Sequence, residues 1–391
     1  MMKFIGSFAL FFCFLGLQAQ INYEPTLTET FAKAKREKKL VFVKYYNSDC
    51  PVCKSLEILF QDKALADFYN QNFVSYALNT KDMLEENTKF LQAANLTFSS
   101  VPFLLFFDAD RNFLHYSHIQ QDTRFLLEIA QNALKPAERT INLANKYKAG
   151  DRSIKTLYAY NNFLQVQKQD DLARLVAKDL FEVFPKNELA SKKSFIITRD
   201  CVSDVDNGFF QFWIKNMDKA FSFYDMGKVK SDLAEIITKS IYYPNRPTWS
   251  LEKIRQVKEY ILLTELSQKP DSFFWQEESK VLVEQKKESE ALVLGKKIFD
   301  AEEEIPTKLF TLQHFAELCK EKASLRSLQN WLKSISLQSA APQDQADYYF
   351  VELLLLKKLG EKQKFQKNFA LAKEFYQKHQ IDTQNLEGLK K

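Results

Sequence analysis

The residues with the clearest capacity for chemistry are Cys50 and Cys53, in Cys50-Pro51-Val52-Cys53. An apolar, strand-like run, Leu40-Val41-Phe42-Val43-Lys44-Tyr45-Tyr46, leads into them. Lys54-Ser55-Leu56-Glu57-Ile58-Leu59-Phe60 leads out with a helical pattern. Two cysteines three apart on the first turn of a helix share a face and lie close enough to close a disulfide. The helix N-terminus, with its partial positive charge and unpaired N–H groups, favours a thiolate at the first of them. A bare C-x-x-C is also half of a zinc site. The strand before it and the helix after it favour the making and breaking of disulfides.

The elements that must position this pair can be read in order. Thr28 to Lys38 is helical, with Phe31 and Ala34 on one side; the strand Leu40–Tyr46 and the cysteine-led helix follow. Asp62 to Asn70 reads as a short helix, Phe73–Asn79 as a strand and Met83 to Ala94 as a helix. Ser99–Phe107 is an apolar strand with Pro102 near its start, where a proline needs a reason because it cannot donate to a ladder. Asp108-Ala109-Asp110-Arg111-Asn112 is turn chemistry leading to a partner strand, Phe113–His118. Asp122 and Thr123 cap a last helix, Arg124–Leu134, which Pro136 helps to stop.

With Cys50-Pro51-Val52-Cys53-Lys54 and Val101-Pro102 in this order of elements, the segment from about Thr26 to Leu134 resembles the thioredoxin-like superfamily, in particular its exported members. The resemblance implies an α/β thioredoxin-like fold and a cis bond at Val101–Pro102 facing the disulfide. It also implies that the backbone of Val101 pairs with a bound substrate peptide. The implied activity is thiol–disulfide exchange with protein substrates: Cys50 attacks and Cys53 resolves. No cofactor or metal is implied. The partners would be proteins carrying disulfides or thiols, with a redox partner that the sequence does not identify.

This chain departs from the pattern around the pair. Asp49 stands where a tryptophan usually precedes the first cysteine, and Lys44 stands where a buried acid is usual. An ammonium near the cysteines favours thiolate and Asp49 beside Cys50 disfavours it, so the two oppose one another. Asp49 is expected to serve with Ser48 as a helix cap. Pro51 suits the first helical position. Pro51-Val52 resembles the Pro-Tyr of glutaredoxins, from which alone no glutathione site follows.

The chain opens with Lys3, an apolar run from Phe4 to Leu17, and Gln18-Ala19-Gln20. That describes a secretory signal peptide over 1–20, shorter than the ~20 apolar residues of a spanning helix. An uncleaved anchor is the alternative. The expected mature protein is exported, periplasmic or secreted, with no stable membrane insertion. Export leaves Cys50, Cys53, Cys201 and Cys319, too few for a disulfide scaffold in a chain of 391 residues. Cys201 and Cys319 could pair, but burial as small hydrophobes accounts for both. The net charge of +5 is spread along the chain without a basic arm, so no nucleic-acid partner is expected. His115, His118, His314 and His379 lack companions at metal-ligand spacing and read as surface or satisfied histidines.

Beyond the thioredoxin-like domain, 21–135, the remaining 136–391 reads as a large all-helical domain. Its Lys/Glu/Leu/Phe-rich stretches are divided at points such as Ala149-Gly150-Asp151, Tyr243-Pro244-Asn245-Arg246-Pro247 and Ala341-Pro342. Lys280–Phe299 and Asp347–Gln377 look like helix pairs, the second similar to a tetratricopeptide hairpin, although strict repeat spacing is absent. Phe209-Phe210-Gln211-Phe212-Trp213 reads as core, with a peptide groove as the lesser alternative. Two functions are therefore carried forward. One is an exported oxidoreductase whose helical domain selects partners. The other is a non-catalytic interaction scaffold.

Overall fold

The computed structural model describes residues 20–98, 100–118 and 122–390. The expected leader therefore lies outside the described residues, apart from Gln20. Among the described residues no helix is long and apolar enough to cross a membrane. The chain divides into two compact units; the first runs to Val202 and takes in Asn207–Phe209, and the second holds Ser203–Asp206 and everything from Phe210.

The first unit contains strand β1 (Tyr23–Glu24), helix α1 (Leu27–Glu37), β2 (Leu40–Tyr46), α2 (Pro51–Leu59), α3 (Lys63–Asn72) and β3 (Phe73–Asn79). It continues with α4 (Glu85–Ala93), β4 (Phe103–Phe107), β5 (Phe113–His118), α5 (Thr123–Leu134) and α6 (Leu143–Lys148). Three longer helices follow: α7 (Ile154–Val166), α8 (Asp170–Val183) and α9 (Lys192–Cys201). The five strands form one mixed sheet in the order β1-β3-β2-β4-β5. The central strand β2 is parallel to β3 and antiparallel to β4.

Side chains alternate across the sheet, and both faces are covered. Phe42, Leu104 and Phe106 pack with Leu56, Phe60, Tyr69 and Leu126 from α2, α3 and α5. Val41, Val43, Leu105 and Phe107 pack on the other side with Leu27 and Phe31 of α1 and Phe90 and Leu91 of α4. Burial on both faces is why these strands read as unbroken apolar runs.

The sheet's second face needs one more helix than the expected 21–135 domain supplies. Phe163 and Val166 of α7 belong to the same core as Phe113 and Tyr116. The rings of Phe163 and Phe113 stack with centroids 5.5 Å apart, and Thr97 donates its backbone N–H to the carbonyl of Val166. The expected boundary at 135/136 therefore falls inside the first unit. Without α7, Phe113 and Tyr116 would be left open to water.

The second unit is helical. Its elements are α10 (Gly208–Trp213, whose first two residues belong to the first unit), α11 (Met217–Ala220), α12 (Met226–Ile241), α13 (Leu251–Leu263) and α14 (Trp275–Glu284). They are followed by α15 (Glu288–Ala301), α16 (Ile305–Leu318), α17 (Lys322–Lys333), α18 (Pro342–Leu359), α19 (Lys362–Lys378) and α20 (Gln384–Gly388). The helix pairs expected over Lys280–Phe299 and Asp347–Gln377 correspond to α14–α15 and α18–α19. Pro306 and Pro342 stand in the first turns of α16 and α18, where a missing N–H costs nothing. Gly295 lets α15 approach α16, because a Cβ there would come within 2.7 Å of the Phe315 ring. Phe210 and Trp213 are wholly buried, as is Phe209 in the first unit, so this aromatic cluster is core.

Candidate active site

Cys50 is the N-cap of α2, in extended backbone, with Pro51 at the first helical position. The expected cap by Asp49 and Ser48 is not formed. Cys50 itself caps the helix, its Sγ accepting the Cys53 backbone N–H at 3.3 Å. Asp49 and Ser48 are engaged elsewhere. The Asp49 backbone N–H goes to Asn47 Oδ1 at 2.8 Å, and the Asp49 carboxylate pairs with Lys81 at 3.0 Å. The Ser48 N–H goes to Asn79 Oδ1 at 3.2 Å, and Asn47 Nδ2 donates to Thr80 Oγ1 at 3.0 Å. The loop carrying the cysteines is thus sewn to the turn after β3. Parallel pairing of β2 with β3, through Tyr46 opposite Asn79, brings the two strand ends together.

The two sulfurs differ. Both are free thiols; Cys50 is half-buried and Cys53 is 2% exposed. The Cys50 thiol is held below its ordinary pKa, first by the hydrogen bond from the Cys53 thiol, with further help from the Cys53 and Val52 N–H groups and the charge of Lys54. Cys53 is pushed up to about 11, first by burial, and also by the negative charge on Cys50. Cys50 is thus the more acidic and the more exposed of the two sulfurs, and Cys53, one turn inward, is held as a thiol. Val52, beside them, is 43% exposed.

Lys44 lies on β2 below this helix, 3% exposed, and its Nζ is paired with Glu57 of α2. The sequence expectation concerned its effect on the pair as a whole; its charge acts on Cys53, favouring the thiolate there against burial. The Val101–Pro102 bond is cis, Pro102 is buried and Val101 packs against the core. Phe103, the next residue, pairs with Tyr45 near the end of β2. The cis bond therefore sits at the end of the sheet from which the cysteine loop departs.

Sequence reasoning missed Glu57, Asn79 and Lys81. Glu57 stands four after Cys53 and so shares its helix face, a signal present in the spacing. The roles of Asn79 and Lys81 depend on which strand lies beside β2, which local sequence does not state.

The remaining polar candidates lie apart from the dithiol. Cys201 and Cys319 are free and buried, each pushed above its ordinary pKa first by burial. His115 is buried, its Nδ1 accepting from the Thr140 N–H at 3.1 Å. His314 is 2.9 Å from the fully buried Ser279 hydroxyl, and the ring of His379 packs on Phe375. The side chain of His118 lies outside the described residues. Among the described residues no group of three His, Cys, Asp or Glu side chains is placed to hold a metal ion. In comparison with known proteins, no family model matches the chain and no curated protein matches it.

Proposed function

We propose that this protein is an exported thiol–disulfide oxidoreductase in which Cys50 and Cys53 exchange disulfides with protein substrates. The observation that carries the reading is the division of labour between the sulfurs: an accessible, acidified Cys50 and a buried Cys53 whose proton is held. The mixed sheet, the dithiol following its central strand and the cis bond at Val101–Pro102 support a thioredoxin-like unit at this site.

The mechanism follows from the two environments. The Cys50 thiolate attacks one sulfur of a substrate disulfide; its electron pair forms the new S–S bond, and the other substrate sulfur leaves as a thiolate and takes a proton. Cys53, losing its proton, then attacks Cys50 Sγ. That releases the second substrate sulfur as a thiol and leaves the Cys50–Cys53 disulfide. The reverse order oxidises a dithiol substrate, and relative reduction potentials set the direction. In this reading the substrate backbone pairs with Val101 while Val52 meets its side chains, and the helical second unit selects partners.

The test is dithiothreitol-driven reduction of a disulfide-bonded protein, with the Cys50→Ser/Cys53→Ser variant as control. Acceleration by the native chain and none by the variant is the expected result. Equal rates with both would leave the scaffold reading in its place. Export is tested separately, by determining the N-terminus of the mature protein from its native host.

A further inference from the structure

Lys44 is the feature that the two-cysteine chemistry leaves without a task. It shares the sheet face of Phe42, the face covered by α2. A buried ammonium is costly unless it is paired, and three groups meet this one. Its Nζ is bonded to the Glu57 carboxylate and lies 4.6 Å and 4.3 Å from the ring centroids of Tyr23 and Tyr46. Glu57 stands one helical turn after Cys53, so the contact delivers the cation to the underside of the helix that carries the resolving thiol.

The pair does not cancel electrically at that point. The Lys44 side chain is 4% exposed and that of Glu57 is 43% exposed. Water screens the carboxylate far more than the ammonium, which leaves a net positive field inside. The other ionisable groups facing this cluster are Cys53 from α2 with Cys50 at its cap, Tyr69 from α3, which faces Tyr23, and Tyr76 from β3 and Asp82 from the turn after it, which face Tyr46. Burial holds Tyr23 and Tyr46 neutral. Lys44 is thus a buried cation, paired one turn after Cys53, whose charge reaches that sulfur.

We propose that Lys44 is a positioning residue for the second half of the exchange, holding the Cys53 sulfur as a thiolate while Cys50 is bound to substrate. The inference rests on the oxidoreductase reading above. In the mixed disulfide Cys50 no longer carries negative charge, so its share in keeping the proton on Cys53 is gone and the Lys44 field works against burial without the Cys50 charge to oppose it. The Cys53 S–H gives its proton to water. The electron pair of the thiolate then forms the Cys53–Cys50 bond as the Cys50–substrate bond breaks. The departing pair leaves on the substrate sulfur, which takes a proton back from water, so no external oxidant enters.

The two halves can be timed separately with dithiobis(nitrobenzoate), which releases one coloured thiolate when Cys50 attacks and a second when Cys53 resolves. Stopped-flow absorbance across a pH series is the measurement, on the full chain. Lys44→Met is expected to keep the first phase while slowing the second about tenfold at neutral pH, the effect of one pH unit on a thiolate fraction. Its second-phase midpoint moves up. Lys44→Arg restores the native rate and midpoint. Glu57→Gln, which leaves the ammonium uncompensated, moves the second-phase midpoint down; general damage to the helix would not push the two variants in opposite directions.

An unchanged second phase in Lys44→Met, or a shift of both variants in the same direction, overturns the proposal. If Lys44→Met does not fold, Glu57→Gln decides: a lowered midpoint supports the proposal and an unchanged one overturns it. A native chain that gives no second phase sinks the oxidoreductase reading, and this inference with it.

Discussion

Cys53 gives its backbone N–H to Cys50 Sγ across 3.3 Å, and its thiol is the first cause that holds the Cys50 pKa below its ordinary value. In the proposed exchange the resolving residue therefore acidifies the attacking one before any substrate arrives. Limiting iodoacetamide should alkylate Cys50 ahead of Cys53, as read by peptide mass spectrometry. Because the pKa of Cys50 is lowered, its labelling should reach half-maximal rate below the pH of an ordinary thiol. Cys53→Ala deletes the thiol donor but keeps the backbone one, so the Cys50 midpoint should rise. Cys53→Ser restores a donor and should lie between. First labelling at Cys53 would reverse the assignment of roles.

Phe163 stacks on Phe113 from a helix that begins well after Leu134. A fragment ending at residue 134 uncovers Phe113 and Tyr116, whereas one ending at 209 keeps the first unit whole. The longer fragment should unfold cooperatively in urea and retain disulfide reductase activity; the shorter should bind hydrophobic dye and aggregate. In the full chain, Phe163→Ala should destabilise the first unit by about 3–5 kcal/mol, the usual cost of removing a buried phenylalanine. A stable, active fragment ending at 134 would show that α7 is dispensable to the sheet.

The strands were legible where both faces are buried. Leu40–Tyr46, Phe73–Asn79 and Phe113–His118 have the bounds read from the apolar runs. The strand expected from Ser99 begins only at Phe103, because Pro102 has no N–H to give the ladder. The edge strand Tyr23–Glu24 is two residues long and offers no period to read. At the site, the dithiol and its proline were visible because they are local signals. Lys44–Glu57 was not, since an exposed-looking glutamate on a helix names no partner across the layer. Phe163 and Val166 were missed as sheet cover for the same reason: an apolar helix face does not say what it faces.

His115 should make the first unit sensitive to acid. Burial, with a smaller contribution from the Arg139 charge, lowers its pKa from an ordinary 6.5 to about 4. Its Nδ1 accepts from the Thr140 N–H, and its buried Nε2 has no hydrogen-bond partner among the described residues. Above pH 6.5 the ring is neutral whether the chain is folded or not, and the native contact is fully present. As pH falls from 6.5 towards 4 the unfolded chain binds a proton that the folded one refuses, so stability drops. At about 1.36 kcal/mol per pH unit the loss reaches roughly 3 kcal/mol. Urea unfolding of the 20–209 fragment between pH 7 and 4 should show this slope. His115→Gln should flatten it, and an equally steep fall in that variant would place the acid sensitivity elsewhere.

Lys358 should hold the end of α16 in the second unit. Its Nζ donates to the carbonyls of Ala316, Glu317 and Cys319, each at 2.7 Å, where a helix leaves its acceptors unpaired and its dipole favours a cation. The next residues are held from the other side, for the Glu288 carboxylate accepts the N–H groups of Lys320 and Glu321 at 3.0 Å each. Burial would raise the Glu288 pKa, but those donors outweigh it and hold the carboxyl below its ordinary value. Its contribution is therefore present above the ordinary carboxylate range and is lost as pH falls through the lowered value. Lys358→Met should cost about 1–3 kcal/mol by leaving three carbonyls without their donor, whereas the exposed neighbour Lys357→Met should cost under about 0.5 kcal/mol. Because Lys358 and Glu288 grip one short connection, Lys358→Met and Glu288→Gln together should cost less than the sum of the two alone. Denaturant unfolding of the four proteins completes the cycle, and strict additivity would mean that the two side chains stabilise the connection independently.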